Sequence, residues 1–374
     1  MTIKNKFKFH PLEISFCGYS GTGKTTLISK IIKQLSSMYK IGFLKHDAHI
    51  FDMDHKGKDT FKMSKAGASS VLITSDNEKK RCVQSFGSNE FSFGESLDLI
   101  DNDFLIIEGY KHSNIPKILF LDEQSLKEYN ESEIDNVLAI ITTDDKLSVE
   151  NTQNFDRNDV DKICDFLINY FLEINSKTSL AGLILGGGKS SRMGEDKTSL
   201  NYHGLNQVDF ISSLFSSFEM DSYISCRKDQ EALPHFKDKN LIFDLYNDFG
   251  PAAGIVSALK MNKDTAFLTV ACDLPFIDRD ILELLIKNRN PFKNATCFYN
   301  RERKWNEPLV TIYEPKSFYK LSAMFALNKY CPRKMLRNCE IEQVELPLDF
   351  LKKIDNINTP IEKENALKLL NEMV

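Results

Sequence analysis

The feature that most constrains the fold is a glycine-rich turn between an apolar run and a helix-like run near the start of the chain. Gly18–Thr25 matches G-x-x-x-x-G-K-[ST] at every fixed position. Leu12–Cys17 before it is apolar, and Leu27–Leu35 after it repeats apolar residues at helical spacing. Glycines let successive backbone N–H groups converge on phosphate oxygens, and the helix N-terminus adds partial positive charge. The sequence therefore predicts a P-loop here.

This loop predicts a site for a nucleoside triphosphate and Mg²⁺. Lys24 should reach the β- and γ-phosphates, and the Thr25 hydroxyl should bind the metal ion. A later apolar run, Phe104–Ile107, ends at Glu108, which is predicted to lie near the Mg²⁺; an ordinary exposed acid after a core strand is the alternative. The predicted nucleotide contacts of this half are Gly18, Gly21, Gly23, Lys24, Thr25, Thr26 and Glu108.

Histidine and aspartate crowd into Lys45–His55, directly after the apolar run Ile41–Leu44. Two interpretations stay open: a metal site, or a solvated loop that contacts nucleotide or substrate at a strand end. Lys56 and Lys58 flank a glycine and are either a second anion contact or part of a solvated turn. The N-K-x-D sequence with which small GTPases read guanine is absent from this half, so the sequence does not reveal the base.

A second glycine loop, Gly186–Gly188, follows the apolar run Leu180–Leu185 but lacks the G-K-[ST] ending. Three consecutive glycines let the backbone approach a base and a triphosphate closely. Arg192 and Lys197 supply positive charge for phosphate oxygens. The combination G-G-G-x-S-S-R-M-G-x-D-K after a strand predicts a second nucleotide site of a different kind.

Two later apolar runs each end in an acid, Leu241–Asp244 and Ala266–Asp273. Ligands in open α/β sheets gather at the carboxyl ends of strands, where an acid can hold Mg²⁺ against a triphosphate. Attack on an α-phosphate needs charge neutralisation, which Arg192, Lys197 and Mg²⁺ on Asp273 would supply. A phosphate acceptor is already ionised, so this reaction requires no general base.

No Ser/His/Asp or Cys/His arrangement stands near this second loop. His203 and His235 are isolated in the sequence, and both are expected to be surface or packing residues. The predicted catalytic residues are therefore Lys197, Asp273 and Arg192.

Length and composition predict two α/β domains. A chain of 374 residues exceeds the usual size of one core, and apolar runs alternate with amphipathic stretches throughout. The helix-like Asp159–Leu172 precedes a short polar stretch, which places the expected boundary near Ser176, with domains 1–175 and 176–374. The strands expected in the first half are Leu12–Cys17, Ile41–Leu44, Val71–Ile73, Phe104–Ile107, Ile118–Leu121 and Val137–Ile141.

Charge and hydropathy exclude several partner classes. The formal net charge is -5 and no basic block stands out, which argues against a nucleic-acid partner. No apolar run is long enough to span a bilayer, and the start lacks the apolar core of a signal peptide. The eight cysteines are scattered without a C-x-x-C pair. We expect a cytoplasmic protein without a membrane partner.

The first half resembles the molybdopterin-guanine dinucleotide biosynthesis adapter protein from about Leu12 to Phe171. The matching motifs are F-C-G-Y-S-G-T-G-K-T-T, K-H-x-x-H…D-M-D…K-G-K-D, K-A-G-A and I-E-G-Y-K-H. This resemblance implies weak GTP binding or hydrolysis and an accessory role in handing on the cofactor. Molybdoenzyme apoproteins and cofactor-insertion proteins are then the expected protein partners.

The second half, from about Leu180, resembles molybdenum cofactor guanylyltransferase. The matches are L-G-G-G-K-S-S-R-M-G-E-D-K, G-P-A-A-G, C-D-L-P-F and N-I-N-T-P. The family implies transfer of GMP from GTP to molybdenum-loaded molybdopterin. Carried over by motif, the nucleotide contacts are Leu185, Gly186 and Gly187, the triphosphate contact is Lys197, the nucleoside contact is Asp244 and the Mg²⁺ ligand is Asp273.

Two positions depart from the second family. Gly186 stands where the family usually has alanine, and Tyr223–Arg227 offers no match to an asparagine that contacts nucleotide after the second strand. The expected fold class is α/β, with an N-terminal P-loop NTPase domain and a C-terminal Rossmann-like nucleotidyltransferase domain. A CTP-dependent cytidylyltransferase and a GTP-gated cofactor-delivery module remain the alternatives.

Overall fold

The computed structural model describes residues 8–46, 56, 58–68, 70–75, 77, 80–85, 93–130, 134–142, 144, 147–150, 152–188, 193–246 and 249–372. The chain divides into two compact units. The second unit takes the chain from Asp161 on, together with Lys33–Ile41 and Leu99–Phe104, and the first unit takes the rest. The domain boundary expected near Ser176 stays a prediction.

Strands and helices alternate through the first half of the chain. In order they are β1 (Glu13–Cys17), α1 (Lys24–Leu35), β2 (Ile41–Lys45), α2 (Asp59–Lys65), β3 (Ser70–Ser75), β4 (Lys80–Ser85), α3 (Phe93–Leu99), β5 (Phe104–Glu108), β6 (Lys117–Phe120), α4 (Glu123–Asn130), β7 (Val137–Ile141), β8 (Gln153–Phe155) and α5 (Val160–Ser176).

Six of these strands form one sheet, in the order β2-β5-β1-β6-β7-β8. β1 lies inside it, pairs in parallel with β5 and β6, and is buried along its whole length. Burial at every position suits a strand that is covered on both sides. Because β1 and β5 are parallel neighbours, the loop after β1 and the end of β5 lie at the same edge of the sheet.

Each strand expected in the first half is present, with one difference in placement. Val71–Ile73 lies in β3, which pairs only with β4 in a separate antiparallel sheet. Leu72 and Ile73 are exposed there, so their apolar character predicted a strand but not its position. The expected helix Asp159–Leu172 is α5, which buries Ile163, Cys164, Leu167 and Phe171.

The described residues of the second half form seven strands and six α-helices. In order they are β9 (Ser179–Leu185), α6 (Gln207–Ser216), β10 (Ser222–Cys226), β11 (Asn240–Phe243), α7 (Pro251–Met261), β12 (Thr265–Ala271), α8 (Arg279–Lys287), β13 (Ala295–Asn300), β14 (Trp305–Tyr313), α9 (Ser317–Ala326), α10 (Pro332–Leu336), β15 (Ile341–Glu345) and α11 (Pro360–Glu372).

Its sheet has the order β11-β10-β9-β12-β14-β13-β15. β9 pairs in parallel with β10 and with β12, and β10 pairs in parallel with β11. β14 runs antiparallel to β12, so the sheet is mixed beyond its parallel part. The α/β fold class is confirmed. The parallel pairing brings the carboxyl ends of β9, β10, β11 and β12 to one edge.

Helices cover this sheet with an apolar core. α7 carries a continuous buried run from Ala252 to Leu259, and α6 buries Val208, Ile211 and Phe215. Five of the free cysteines are buried, whereas Cys82 is exposed. Within the described ranges, no helix is both long enough and apolar enough to cross a membrane.

We predict that Gly182→Ala destabilises the chain by about 1–3 kcal/mol, as overpacking of a core does. A methyl group at position 182 would lie 2.1 Å from Cδ2 of Phe215, and that ring is fully buried and has no room to move. Denaturant unfolding measures the effect. Gly188→Ala is the matched control, because no atom lies within 4 Å of its added Cβ. Equal stability of the two variants would contradict the prediction.

Candidate nucleotide sites

A cavity of about 340 Å³ opens at the carboxyl edge of the second sheet. Strands β9, β11 and β12 each deliver part of its lining, because the residues that follow a parallel strand collect at this edge. The lining includes all the described residues predicted for this site: Leu185, Gly186, Gly187, Lys197, Asp244 and Asp273. Arg192, the remaining predicted catalytic residue, lies outside the described residues.

The glycine loop fits closely against its neighbours. Gly186 donates its N–H to the carbonyl of Ser225 at 2.8 Å. A methyl group on Gly186 would lie 2.9 Å from Cγ2 of Thr198, so the threonine methyl occupies the space that an alanine would need. On Gly187, an added Cβ would lie 2.2 Å from Oδ2 of Asp244. Glycine at these two positions lets the backbone pass between Thr198 and Asp244.

Asp244 follows β11 and is held in place by the neighbouring strand. The Ser225 hydroxyl donates to Oδ1 of Asp244 at 2.6 Å, and the Asp244 N–H donates to the carbonyl of Cys226 at 2.9 Å. Burial raises the pKa of the Asp244 carboxyl, while the hydrogen bond from Ser225 opposes that rise. Ser225 engages Oδ1 and leaves Oδ2 beside Gly187.

A partly buried ion pair lies at the end of β12. Lys197 Nζ lies 3.0 Å from Oδ2 of Asp273, and both side chains are less than a fifth exposed. The same ammonium group donates to Oδ1 of Asn358 at 2.7 Å. The peptide before Asn358 is fixed as well, since the Ile357 N–H donates to the carbonyl of Asp273 at 2.8 Å. Lys197 is therefore held by two acceptors from distant parts of the chain.

The other carboxylate oxygen of Asp273, Oδ1, is buried and has no hydrogen-bond partner. A buried ionised oxygen without a partner is costly unless a cation or donor satisfies it. Among the described residues, Asp273 is the only acid beside Lys197 that has a buried carboxylate oxygen without a partner. A carboxylate oxygen is the ligand type that Mg²⁺ prefers. The described residues contain no cluster of three or more potential metal-ligating side chains. One Asp ligand suits an ion completed by triphosphate oxygens and water.

Cys272 also lines the cavity, next to Asp273. Burial raises the pKa of its thiol far above the usual range, and the nearby Asp273 carboxylate adds to the rise. Burial thus disfavours the thiolate, which is the nucleophilic form of cysteine.

Sequence reasoning missed a polar network behind the pocket. Thr198, which is fully buried, contacts Nε2 of His235 at 2.7 Å and Oδ1 of Asp196 at 2.5 Å. Gln230 donates to Oδ2 of Asp196 at 2.9 Å. His235 thus takes part in this network through Thr198, the residue after Lys197, and burial lowers the pKa of its imidazole. His203 stacks on Phe210 and is a packing residue.

The first half forms the expected P-loop after β1. Gly21 and Gly23 have φ of 81° and 91°, a backbone conformation that favours glycine. Gly18 approaches β6 so closely that a Cβ would lie 2.7 Å from Cβ of Phe120. Lys24 Nζ donates to the carbonyls of Gly18 and Tyr19, at 2.9 and 2.5 Å. Burial lowers the pKa of Lys24, although Glu108 opposes the change.

Thr25 and Glu108, both predicted to lie near a Mg²⁺ ion, are in contact. The Thr25 hydroxyl lies 2.9 and 3.1 Å from the two carboxylate oxygens of Glu108, which is buried at the end of β5. Asp103 lies at the opposite end of that strand and accepts the Lys40 N–H instead. A hydroxyl against a carboxylate is the arrangement that P-loop proteins use around Mg²⁺. Thr26 is exposed at the start of α1.

Other residues around this loop were not predicted from the sequence. The Tyr19 hydroxyl donates to Glu128, and Glu128 pairs with Lys111, whose Nζ lies 4.4 Å from the centre of the Tyr19 ring. Lys111 and Glu128 follow β5 and β6, so the carboxyl edge of the sheet brings them to the loop. They are separated from it by about a hundred residues of sequence, which hid the connection.

Only Lys45 and His46 of the His- and Asp-rich segment are described. Residues 47–55 and 57 lie outside the described residues, so the metal and loop interpretations both stay open. His46 packs on Tyr110, with ring centroids 4.2 Å apart, beside the end of β5. This places the start of the segment at the same edge as Glu108. Lys56 and Lys58 remain either a second anion contact or part of a solvated turn.

Known families match the two halves separately. Molybdopterin guanine dinucleotide synthesis protein B matches residues 13–143, and the MobA-like NTP transferase domain matches residues 182–344.

Three relatives span these regions. A molybdopterin-guanine dinucleotide biosynthesis adapter protein of Haemophilus influenzae is 30% identical over 159 residues, which cover 42% of this chain and 88% of that protein. A molybdenum cofactor guanylyltransferase of Pseudomonas entomophila is 28% identical over 180 residues, which cover 48% of this chain and 93% of that protein. A molybdenum cofactor biosynthesis bifunctional protein of Synechocystis is 31% identical over 185 residues, covering 50% of this chain.

The chain spans about half of the Synechocystis protein, 53% of its length. The matched adapter relative is covered over most of its length, and the second region matches a separate family model. The chain therefore belongs to the family of molybdopterin guanine dinucleotide synthesis protein B through residues 13–143, and residues 182–344 match the MobA-like NTP transferase domain.

Proposed function

We propose that the chain transfers GMP from GTP to the terminal phosphate of molybdenum-loaded molybdopterin and releases pyrophosphate. The family of residues 182–344 and the guanylyltransferase of Pseudomonas entomophila support this reaction. The observation that carries the proposal is the Lys197–Asp273 ion pair, which lines a cavity beside the glycine loop and keeps one carboxylate oxygen unsatisfied. Lys197 and Asp273 together can receive the negative charge of a triphosphate and its cation.

The transfer is a direct displacement at the α-phosphorus. An oxygen of the acceptor phosphate forms the new P–O bond, the bond to the oxygen that bridges the α- and β-phosphates breaks, and pyrophosphate leaves. The acceptor is already ionised, so no residue has to remove a proton. The protein contributes orientation and charge stabilisation, which dominate catalysis of such reactions.

Lys197 changes partners when the nucleotide binds. At rest its ammonium group is satisfied by Asp273 and Asn358. Triphosphate oxygens would take over part of this coordination, and the positive charge would then stabilise the departing pyrophosphate. Arg192 is proposed as a second cation for the same oxygens.

Mg²⁺ would neutralise the triphosphate and stabilise charge on the leaving group. Asp273 is the residue that would hold it, through the oxygen that has no partner in the protein. Asp244 is proposed to contact the nucleoside, and Leu185, Gly186 and Gly187 the guanine nucleotide. These four residues line the same cavity as Lys197 and Asp273.

The first half is proposed to bind GTP at the P-loop. Lys24 would exchange the Gly18 and Tyr19 carbonyls for β- and γ-phosphate oxygens, and Thr25 with Glu108 would bind a second Mg²⁺. Its role in the reaction is accessory, in delivering or handing on the cofactor. Molybdoenzyme apoproteins and cofactor-insertion proteins are the proposed recipients.

The test uses the full chain with Mg²⁺ and molybdenum-loaded molybdopterin. GTP, CTP and ATP are supplied separately, and both pyrophosphate and the dinucleotide are measured. Product from GTP alone is the expected result. Product from CTP alone would keep the chemistry and overturn the base assignment. Nucleotide binding without any product would instead favour a GTP-gated delivery module.

We predict that Asp273→Asn lowers kcat/KM at least about a hundredfold, since it removes the charged ligand of the metal ion. The Mg²⁺ concentration that gives half-maximal rate should rise as well. The amide keeps an acceptor for Lys197, so folding should persist, as circular dichroism can verify. Asp280→Asn, at an exposed carboxylate of α8, is the control. A folded Asp273→Asn variant with normal turnover would remove Asp273 from the mechanism.

We predict that Lys197→Ala raises KM for GTP about ten- to a hundredfold, the usual effect of losing hydrogen bonds to a charged group. Steady-state kinetics with GTP as the varied substrate measures the change. Lys287→Ala removes a lysine that pairs with Glu283 on the surface of α8, and it serves as the control. If the two variants show the same KM, Lys197 does not contact the triphosphate.

We predict that Lys24→Ala abolishes GTP binding at the P-loop but changes kcat of dinucleotide formation by less than about twofold, as expected for separate sites. Equilibrium dialysis should detect one fewer bound GTP per full chain. Lys30→Ala, at an exposed position of α1, should bind normally. A large loss of kcat in Lys24→Ala would show that the P-loop site is needed for transfer itself.

A further inference from the structure

Three consecutive carbonyls of the glycine loop are held by side chains that follow β10. Gln230 Nε2 donates to the carbonyl of Gly186 at 3.1 Å. Arg227 Nη1 donates to the carbonyls of Gly187 and Gly188, at 2.8 and 2.9 Å. Neither side chain was predicted to belong to the site. We call Arg227 and Gln230 the loop clamp.

The clamp decides which way the amides of the loop face. A trans peptide places its C=O and N–H on opposite sides of one plane. Since the clamp holds the carbonyls of Gly186 and Gly187, the N–H groups of Gly187 and Gly188 point away from it. In the described part of the chain neither N–H donates a hydrogen bond. Both donors are available to a ligand.

From the lining of the cavity we infer that these amides face it. Gly187 and Gly188 line it, whereas neither clamp residue belongs to its described lining. The clamp is therefore behind the loop, and the loop separates it from the ligand. Successive N–H groups that face one space form an anion-binding concavity.

The clamp is itself well supported. Nε and Nη2 of Arg227 contact the two carboxylate oxygens of Asp229, each at 3.0 Å. The Arg227 N–H donates to Oε1 of Gln230 at 2.9 Å. Gln230 is 2% exposed, and its amide also donates to Asp196, the residue before Lys197. One buried amide thus fixes the glycine loop relative to the segment that carries Lys197.

We propose that Arg227 and Gln230 are positioning residues that hold the glycine loop with its amides ready to bind phosphate oxygens of a nucleoside triphosphate. The proposal rests on the proposed function, which supplies the ligand. A run of glycines without such support samples many conformations, and binding would have to order it. The clamp orders the loop before the nucleotide arrives, so binding no longer has to lose that conformational entropy. It therefore acts on affinity rather than on the chemical step.

Arg227→Ala tests this directly, because Arg227 lies near the surface and its loss should not unfold the chain. Arg279→Ala is the matched control: it also removes an arginine that donates to a backbone carbonyl, that of Ser217, but away from the cavity. All variants are made in a Lys24→Ala background, so that GTP binding reports on the transferase site. Calorimetry gives Kd, and turnover gives KM and kcat.

We expect Kd and KM for GTP to rise at least about tenfold in Arg227→Ala, as for loss of charged hydrogen bonds, with kcat changed less than about threefold. Arg227→Lys should recover part of the affinity, since one ammonium can still reach a carbonyl. Asp229→Ala should give an intermediate effect, because it frees the guanidinium without removing it. Arg279→Ala should match the background.

Equal Kd and KM in Arg227→Ala and Arg279→Ala would overturn the proposal, as would a loss confined to kcat. Absence of GTP binding in the background protein would overturn it too. If the background protein binds GTP but forms no dinucleotide, the proposed function fails, and the comparison of Kd values still decides whether the clamp positions the loop.

Discussion

The parallel pairing of β9 with both of its neighbours is the constraint on which the second site depends. β12 pairs with β9 from Ser179 to Leu185, and β10 pairs with it on the other side. This register makes β9, β10 and β12 end together, so the glycine loop, the clamp and Asp273 emerge at one edge. A shift of one residue would turn every side chain to the opposite face and separate the glycine loop from its partners.

The two candidate nucleotide sites solve the same electrostatic problem with different loops. Each keeps a partly buried lysine satisfied by oxygens of the protein itself, backbone carbonyls for Lys24 and side-chain acceptors for Lys197. A buried ammonium without acceptors would be costly, so both sites provide oxygens that phosphates can replace. The P-loop runs into the N-terminus of α1, whereas the carbonyls of the second loop are held by the side chains of Arg227 and Gln230.

Local pattern was enough to predict the residues that end strands. Gly18, Glu108, Asp244 and Asp273 each follow or end an apolar run, and each lies at a carboxyl edge in the structure. The roles of these residues as ligands of nucleotide or metal are still proposals. The alternation of apolar runs with helix-like stretches likewise predicted the α/β class. Burial constrains every residue of a helix or strand, so it leaves a regular pattern in the sequence.

Contacts between distant segments were not predictable. Asn358 reaches Lys197 across more than a hundred and fifty residues, and Gln230 joins two loops through its amide. Neither has a spacing signal, since the sheet brings the segments together only after folding. Strand β3 shows the same limit. Its strand propensity predicted an extended segment, but its pairing with β4 depends on the topology of the whole chain.

The close contact between Gly186 and Thr198 makes these two positions interdependent in evolution. The threonine methyl fills the space in which a side chain at 186 would lie, while its hydroxyl is engaged with Asp196 and His235. A protein with alanine at position 186 needs a smaller residue at position 198. Serine at 198 would keep the hydroxyl, and the alanine methyl at 186 would fill the space that the threonine methyl had occupied. Either single replacement would pass through an intermediate that is overfilled or contains a void. Glycine at the first position is thus one half of a matched pair, and comparison of either residue alone among relatives would miss the compensation.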